Sequence, residues 1–505
     1  MCSTEFVAEW FANPKWWFNA SSVDDEYICK KYKHLLDNPI HEKNENTLTD
    51  VLIHDQLARH VSRCLFEGAE DRKSLIQRHL QVAIATTLKS VEKPAHFSWQ
   101  EWTFLMLPYR HAHNMTMIAN IIQYVWEVLE GLPDADSKIL KRFLKATYMH
   151  INDKAYGIEF YENDIPNKIN IKNPFTNIQV SKDRFLISLS GGVDSMVCSS
   201  IFNDNRCIGA VFINYNNRPE SPQELVFVKD WCTKIGLPLW VKTVVEINRP
   251  LCMKHHLREL YEVYTKQVRF ACYKAAWDWF PSPPNVALQY VPYTPVVVMG
   301  HHQGDQIENC FTNILVGTKM NDLLGMDGER LVDGVSLVRP LLPIDKKRIM
   351  EFADSHNIPH LPDSTVIWCA RGKIRDNVLP GIDKWCGIDT MAAALVKHAQ
   401  MCCESQALIG MFAQTFKDKM LNRVPSTLCT IPESHMFFRK LFELYKLYPS
   451  NKALDELVHV IKRLKKINWD SLSCRDPKKH RRIELMKNVK IEITKTDAGI
   501  LMSVI

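Results

Sequence analysis

Glycine is scarce in this chain. The sequence has 505 residues and only 18 glycines, roughly half of the usual share of about 7%. Adjacent glycines are therefore stronger evidence for a functional turn in this chain than in one of average composition. No Gly-x-x-x-x-Gly-Lys-Ser/Thr spacing occurs, and this absence excludes a Walker-type phosphate-binding loop.

Cysteine pairs and long apolar runs are absent as well. The 15 cysteines include no Cys-x-x-Cys pair, which disfavours a cysteine zinc or cluster site, and their odd number and scatter favour a reducing compartment. No run of about 18 apolar residues is available to span a membrane. The N-terminus lacks the basic and apolar regions of a signal peptide. These absences predict a soluble, cytoplasmic protein.

Charge of one sign is not in large excess either. The 63 lysines and arginines against 57 acidic residues give a net charge of +6, so any surface that binds nucleic acid has to be local. The length exceeds that of one ordinary domain, and we expect roughly two to four domains.

The strongest local signal is a pair of glycines between a strand and a helix. The apolar run Phe185–Leu189 predicts a buried strand that ends at Ser190, and an apolar run after Ser195 predicts the start of a helix. Between them, Gly191 and Gly192 let the backbone approach a ligand closely. Such a turn directs N–H groups and a helix N-terminus at one point, which favours phosphate. The alternative is an ordinary exposed Gly-Gly turn.

The order Ser190-Gly191-Gly192-Val193-Asp194-Ser195 resembles the signature of the PP-loop ATP pyrophosphatase superfamily. The resemblance implies an adenine nucleotide α-hydrolase-like fold in which these six residues bind the pyrophosphate end of ATP. It also implies that the AMP half of ATP activates a carbonyl oxygen.

Residues 1–150 predict an all-helical domain, because their apolar residues recur at helical spacing. Segments that include His54–Arg63 and Phe104–His111 resemble an uncharacterised, mostly bacterial family of helical proteins with tetratricopeptide-like packing. That resemblance implies no chemistry. A polar cluster in these segments either forms a site or fixes helix packing as a buried network. Its members are Asp55, Gln56, Arg59, Arg63 and His111.

The rest of the chain divides into three segments. Residues 151–183 contain prolines and many Asn residues without periodicity, and predict a linker or a peripheral extension. Residues 184–390 alternate strand and helix patterns, which predicts an α/β domain with a doubly wound parallel sheet and ligands at the carboxyl ends of its strands. Residues 391–505 predict a mainly helical, basic region with a terminal hairpin. The predicted strands of the α/β domain are Phe185–Leu189, Cys207–Ile213, Leu239–Val245, Val296–Met299 and Val335–Leu342.

Further motifs follow these strands. They resemble, in their order, the motifs of the tRNA(Ile)-lysidine synthetases over roughly residues 184–380. The motifs are Arg218–Ser221, Arg269-Phe270, Gly300–Asn309, Arg339–Leu342, Leu361–Thr365 and Arg371–Arg375. The chain departs from the family at Gly304, where an acid is usual, at Asn309 and Gly372, and at Phe212 and Tyr215, which replace histidines.

The resemblance implies an ATP-dependent ligase that uses Mg²⁺ and free lysine to modify the wobble cytidine of an isoleucine tRNA. The carbon-2 oxygen of the cytidine displaces pyrophosphate from ATP, and the ε-amine of lysine then displaces AMP to give lysidine. Asp305, Glu308, Arg269 and His302 are the implied catalytic residues, and Asp194 and Asp305 are candidate Mg²⁺ ligands. Asp194 can instead fix the geometry of the loop, and His302 can simply close its turn. For Asp305 and Glu308, the alternative is an acidic first turn that favours the helix dipole.

A basic cluster near the C-terminus supplies a local footprint for tRNA phosphates, although such a cluster can also be a solvated face. Arg371 and Arg375, four residues apart, would add a basic stripe on a helix. The remaining predicted tRNA contacts are Lys462, Arg463, Lys465, Lys466, Arg481 and Arg482.

Two other functions stay open. One is a PP-loop tRNA thiolase, which the lack of Cys-x-x-Cys pairs disfavours. The other is a non-catalytic tRNA-binding scaffold, which would bind tRNA without releasing pyrophosphate.

Overall fold

The computed structural model describes most of the chain. The described ranges are 2–18, 20–37, 47–88, 98–113, 115–131, 134–163, 168–175, 178–279, 294–316, 324–362, 370–421, 431–466, 480–486, 489–496 and 499–504. The chain folds into two compact units. Unit 1 comprises Met1–Met299, Leu331–Val338 and Pro359–Leu361, and unit 2 comprises Gly300–Arg330, Arg339–Ile358 and Pro362–Ile505. The predicted boundaries at 150, 183 and 390 stay a prediction.

Helices alone make up the described part of residues 1–150. They are α1 Cys2–Ala12, α2 Lys15–Phe18, α3 Ser22–Tyr32, α4 His34–Asp37, α5 Thr47–Val51, α6 Ala58–Leu65, α7 Ala69–Leu88, α8 Trp99–His111, α9 Met115–Leu129 and α10 Asp134–Met149, with a π-helical segment Leu52–Leu57 before α6. The predicted periodicity is confirmed in α9, which buries Ile118, Ile121, Ile122 and Val125 on one face.

A mixed seven-stranded sheet follows, in the order β1-β4-β3-β2-β5-β7-β6. The strands are β1 Glu159–Tyr161, β2 Phe185–Leu189, β3 Cys207–Asn214, β4 Leu239–Thr243, β5 Val296–Val298, β6 Glu329–Val332 and β7 Val335–Val338. Strands β4, β3, β2, β5 and β7 pair in parallel, which confirms the predicted α/β fold. They are almost continuously buried, as expected for apolar strands covered on both faces.

Helices connect and follow these strands. In unit 1 they are α11 Val193–Ile201, α12 Ser221–Ile235, α13 Arg249–Lys254 and α14 Arg258–Asp278. In unit 2 they are α15 Gln303–Val316, α16 Lys346–Ser355, α17 Ala370–Lys373, α18 Leu379–Cys386, α19 Ile388–Leu421, α20 His435–Glu443 and α21 Asn451–Lys465, with a π-helical segment Ile374–Val378. No described helix has the length and apolar character needed to cross a membrane.

The described part of residues 151–183 packs against the sheet, which differs from a free linker. Strand β1 pairs antiparallel with β4, and the Phe160 ring lies 4.7 Å from the Trp240 ring, centroid to centroid. The Lys168 ammonium donates to the carbonyl of Cys207 at 2.5 Å. An aromatic side chain that covers a sheet edge explains why so short and irregular a segment is ordered.

The fifth predicted strand is shorter than expected. Strand β7 ends at Val338, and the Arg339 N–H then donates to the carbonyl of Gly328 at 2.7 Å. The Leu342 N–H donates to the carbonyl of Arg339 at 3.2 Å, so Arg339–Leu342 forms a turn although its residues are mostly apolar.

The C-terminal residues of unit 2 form a core of their own. A second, antiparallel sheet contains β8 His480–Met486, β9 Val489–Thr496 and β10 Gly499–Val504 in the order β10-β9-β8. Phe437, Leu457 and Ile491 are buried together between this sheet and the helices. The predicted hairpin is confirmed as β9 and β10, whereas β8 was not predicted.

Within unit 1, the N-terminal helices pack directly against the α/β fold. The Tyr148 hydroxyl of α10 donates to the carbonyl of Glu246 at 2.6 Å, and its ring lies 4.9 Å from that of Tyr264 in α14. Lys254 of α13 forms an ion pair with Glu130 at 2.8 Å. Tyr148 is fully buried, so its hydrogen bond is the best protected of these contacts.

We therefore expect Tyr148→Phe to lower the free energy of unfolding by about 1–2 kcal/mol, because it removes the hydroxyl that donates to Glu246 and accepts from the buried Trp126 Nε1. Urea denaturation followed by circular dichroism would measure the change. Tyr156→Phe is the matched control, since Tyr156 is 58% exposed and should unfold like the native chain. Equal stability of the two variants would contradict the assigned role of Tyr148.

Candidate active site

The loop Ser190–Ser195 connects β2 to α11 and is held by its own serines. The Ser190 N–H donates to the Ser195 hydroxyl at 3.1 Å, and that hydroxyl donates to the carbonyl of Gly192 at 2.9 Å. Ser195 is buried. Its hydroxyl therefore maintains the shape of the loop, whereas the sequence alone suggested a direct contact with pyrophosphate.

Gly191 has a conformation that favours glycine. Its φ of +82° lies in the left-handed region, and an added Cβ would lie 2.6 Å from Cδ1 of Leu361. The backbone of Leu361 also contacts the loop on this side, because its N–H donates to the carbonyl of Gly191 at 2.9 Å. The start of the Leu361–Thr365 motif thus reaches the loop; residues 363–365 lie outside the described ranges.

The N-terminus of α11 is open to an anion. Gly192 is its N-cap and provides no side-chain cap, and the first turn of any α-helix has N–H groups without intrahelical partners. Val193 and Asp194 form that turn; Val193 is buried and Asp194 is half-buried. Backbone donors, a helix dipole and the missing Cβ of Gly192 together form a phosphate cradle.

Arg269 of α14 lies at the carboxyl end of β3. It is hydrogen-bonded to Tyr215, and burial raises the pKa of that tyrosine although the guanidinium opposes the shift. The Arg269 Nε has no hydrogen-bond partner among the described residues. Farther along α14, the Tyr273 hydroxyl lies 2.7 Å from the Ser188 hydroxyl of β2. Tyr215, one of the departures noted above, is thus a partner of the predicted catalytic arginine.

In unit 2, His302 and Asp305 form the N-terminus of α15. The His302 N–H donates to the Asp305 carboxylate at 3.1 Å, and the Gly304 N–H donates to Nδ1 of His302 at 3.0 Å. A Cβ at Gly304 would lie 2.7 Å from Cε1 of the same ring. The imidazole therefore occupies the space that a side chain at residue 304 would need, so the unusual glycine and the position of His302 belong together.

Glu308 is buried and paired with Arg375. The Arg375 Nε donates to Oε1 of Glu308 at 2.7 Å, and its Nη2 lies 4.0 Å from Oδ1 of Asp305. Glu308 is 1% exposed. Arg375 thus joins the two predicted acids of this unit, a role that differs from the predicted basic stripe. The side chain of Arg371 lies outside the description.

The turn after β7 adds a buried arginine, Arg339, to unit 2. The Arg339 Nε lies 3.1 Å from Nδ1 of His301, and its Nη1 donates to the carbonyl of Asp327 at 2.8 Å. Burial lowers the pKa of Arg339. Because Nδ1 of His301 and the carbonyl of Asp327 accept from it, the guanidinium holds the Gly300-His301 turn.

The predicted tRNA contacts are only partly described. Lys462, Arg463 and Lys466 are exposed at the end of α21. Lys465 forms an ion pair with Glu433 at 3.0 Å, and Arg482 forms one with Glu492 at 2.8 Å. The side chain of Arg481 and all of residues 467–479 lie outside the description.

Residues 164–382 match the family model of the PP-loop domain. This part of the chain is therefore similar to PP-loop domains. The match covers the loop Ser190–Ser195 as well as the motifs around Asp305 and Arg375, and it confirms the superfamily predicted from the sequence.

The relatives of the PP-loop domain include tRNA-modifying enzymes. The tRNA(Ile)-lysidine synthase of Staphylococcus aureus (strain MRSA252) is 26% identical over 209 residues, 40% of this chain and 44% of that protein. The bifunctional protein TilS/HprT of Listeria monocytogenes is 25% identical over 40% of this chain and 30% of that protein. The tRNA(Ile)-lysidine synthase of Chlamydia trachomatis (serovar L2, strain ATCC VR-902B) is 26% identical over 36% of this chain and 52% of that protein. The chain therefore spans about half the length, or less, of these relatives.

One solved structure is also similar to the PP-loop domain. The U34-tRNA thiolase NcsA from Methanococcus maripaludis matches with a TM-score of 0.33 and 14% identity, over 45% of this chain and 75% of that chain.

The Glu308–Arg375 pair leads to a prediction about stability. In a double-mutant cycle with Glu308→Gln and Arg375→Gln, we expect a coupling free energy of about 1–3 kcal/mol, because Glu308 is buried and cannot exchange its partner for water. Chemical denaturation of the four proteins would measure it. The exposed pair Arg258–Glu262, with each side chain 58% exposed, is the control and should couple by about 0.3–0.5 kcal/mol. Equal coupling in the two cycles would contradict the prediction.

Proposed function

We propose that this chain is an ATP-dependent tRNA(Ile)-lysidine synthetase. The observation that carries the proposal is the glycine cradle at the N-terminus of α11, within a PP-loop domain whose relatives include tRNA(Ile)-lysidine synthases. In the proposed reaction, the carbon-2 oxygen of the wobble cytidine attacks the α-phosphorus of ATP, and the bond to pyrophosphate breaks. The ε-amine of lysine then attacks carbon 2, AMP leaves, and the amine loses a proton.

In the first step, the loop residues Ser190–Ser195 would hold the phosphates that become pyrophosphate. Their backbone N–H groups and the dipole of α11 stabilise the negative charge that grows on the leaving group. Arg269 would supply a fixed positive charge, since its Nε has no hydrogen-bond partner among the described residues and a guanidinium matches a phosphate edge.

Mg²⁺ would accompany ATP in this proposal. The described residues contain no group of three or more His, Cys, Asp or Glu side chains that could hold a metal ion. Mg²⁺, however, usually keeps several waters and uses one or two carboxylates together with substrate phosphates. Asp194, beside the loop in unit 1, would therefore provide one carboxylate oxygen, and ATP and water would provide the other ligands. The assignment of Asp305 to Mg²⁺ stays a prediction.

In the second step, the acids of α15 would receive lysine. Asp305 would face the ammonium group. Glu308 would act through Arg375, because their 2.7 Å contact already occupies one carboxylate oxygen. His302 would hold the first turn of α15 through its contact with Gly304, and the Asp305 carboxylate would take up the proton that the amine releases. Lys462, Arg463 and Lys466 are exposed and would contact tRNA phosphates, as would Arg371, Arg481 and Arg482.

The test is a reaction with tRNA(Ile) that bears a CAU anticodon, lysine, ATP and Mg²⁺, followed by mass spectrometry of the nucleosides. We expect lysidine, and lysine-dependent release of AMP. Asp305→Asn and Asp194→Asn should each lower the rate about 10²-fold or more, as expected for carboxylates at a reacting centre. Glu262→Gln is the matched control, since Glu262 is 58% exposed and lies on the same helix as Arg269.

Other outcomes would overturn the proposal. Intact tRNA binding without lysidine and without lysine-dependent AMP release would indicate the non-catalytic scaffold. A thiolated nucleoside would indicate the thiolase.

A further inference from the structure

The N-terminal helices contain a polar cavity that the proposed reaction does not use. It has a volume of about 280 Å³ and lies wholly within unit 1. Three guanidinium groups line it, together with indole and imidazole rings. The cavity residues that matter here are Trp16, Trp17, Arg59, Arg63, Arg110 and His111.

Two of the three arginines already have carboxylate partners. The Arg59 Nε and Nη2 both lie 3.2 Å from Oδ1 of Asp55, which also receives His111 Nδ1 at 2.9 Å. Arg63 donates to both oxygens of Asp25 at 2.8 Å. Asp55 and Asp25 are therefore saturated with local donors, in agreement with the predicted buried network.

Arg110 is the exception. It is 6% exposed, its Nη1 reaches only the Thr147 hydroxyl at 3.5 Å, and its Nε has no hydrogen-bond partner among the described residues. Its guanidinium lies 4.8 Å from the centroid of the Phe143 ring. Burial lowers its pKa to about 10, so the group remains charged at neutral pH.

The charges around the cavity are therefore unbalanced. Three guanidinium groups face two carboxylates, and burial lowers the pKa of His111, which favours its neutral form. Asp55 attracts Arg110 electrostatically, but no carboxylate among the described residues is hydrogen-bonded to Arg110. A buried cation without such a partner is costly unless an anion can reach it. Arg110 lines the cavity, so a ligand that enters it can supply that anion.

We infer that this cavity binds the oxyanion group of a small organic molecule, with Arg110 as its counter-ion. The ligand carries a phosphate or a carboxylate, either of which fits the planar fork of a guanidinium. Trp16 and Trp17 form an aromatic wall for the rest of the ligand. Trp17 is held in place because its Nε1 donates to the carbonyl of Trp10 at 2.8 Å, so the wall is formed before the ligand arrives.

Isothermal titration calorimetry on the full chain tests this inference, with phenyl phosphate, inorganic phosphate and benzoate as probes. Phenyl phosphate and benzoate share the ring and differ in the anion, and inorganic phosphate lacks the ring. The PP-loop can also bind phosphate, but it is identical in native protein and variants. We expect the native chain to show a binding event that Arg110→Met weakens at least about tenfold, the effect of losing one charge-assisted hydrogen bond.

The stability of the free protein separates binding from folding. Because Arg110→Met removes a buried charge that has no carboxylate partner among the described residues, its thermal unfolding temperature without ligand should equal or exceed that of the native chain. Ala20→Trp provides a second test: Ala20 lines the cavity, and a bulky side chain there should block entry while every charge remains. Arg258→Met, on the exposed face of α14, is the control and should bind like the native chain.

Two results would overturn the inference. One is identical titrations of the native chain, Arg110→Met and Ala20→Trp. The other is a destabilised Arg110→Met combined with normal binding by Ala20→Trp, which would make Arg110 part of the packing alone.

Discussion

The turn that connects β2 to α11 depends on a left-handed backbone conformation at Gly191, where a side chain would collide with Leu361. This conformation brings the N–H groups of the first turn of α11 to one point, and the Ser195 hydroxyl fixes the loop from within. The strand before the loop is buried on both faces, so the loop begins from a well-packed strand. Phosphate recognition therefore rests on backbone geometry, and side chains around it can vary more freely.

Two of the substitutions that separate this chain from the lysidine synthetase pattern, Gly304 and Tyr215, have local explanations. Gly304 accompanies a histidine that fills the space above it, and Tyr215 is a partner of Arg269. In both cases the substituted residue and a neighbouring side chain fit each other, as expected where packing is dense. Such compensation is consistent with a site that keeps its charged groups, Asp305, Glu308 and Arg375, in contact with one another.

The order of elements could be read from the sequence, because burial imposes periods of 2 and 3.6 residues and continuous apolar runs on covered strands. The phosphate loop could be predicted from the sequence as well, because its conformation depends on the glycines themselves. Strand β1 was missed, because three residues with an aromatic centre have no period to detect. Strand β8 was missed because its alternation is masked by charged residues such as Arg481 and Arg482.

Ion pairs between residues that are far apart in the sequence could not be predicted and are visible only in the folded structure. Arg375 and Glu308 are 67 residues apart, and no local pattern states which carboxylate a given arginine will meet. The same holds for Arg110. Its neighbours in the sequence do not show that it will be buried without a hydrogen-bonded carboxylate, because that depends on how the helices pack around it. Most helices and strands, and the phosphate loop, could be predicted from the sequence, because they follow from local physics. Charge pairing depends on burial and distance, and these exist only in the folded chain.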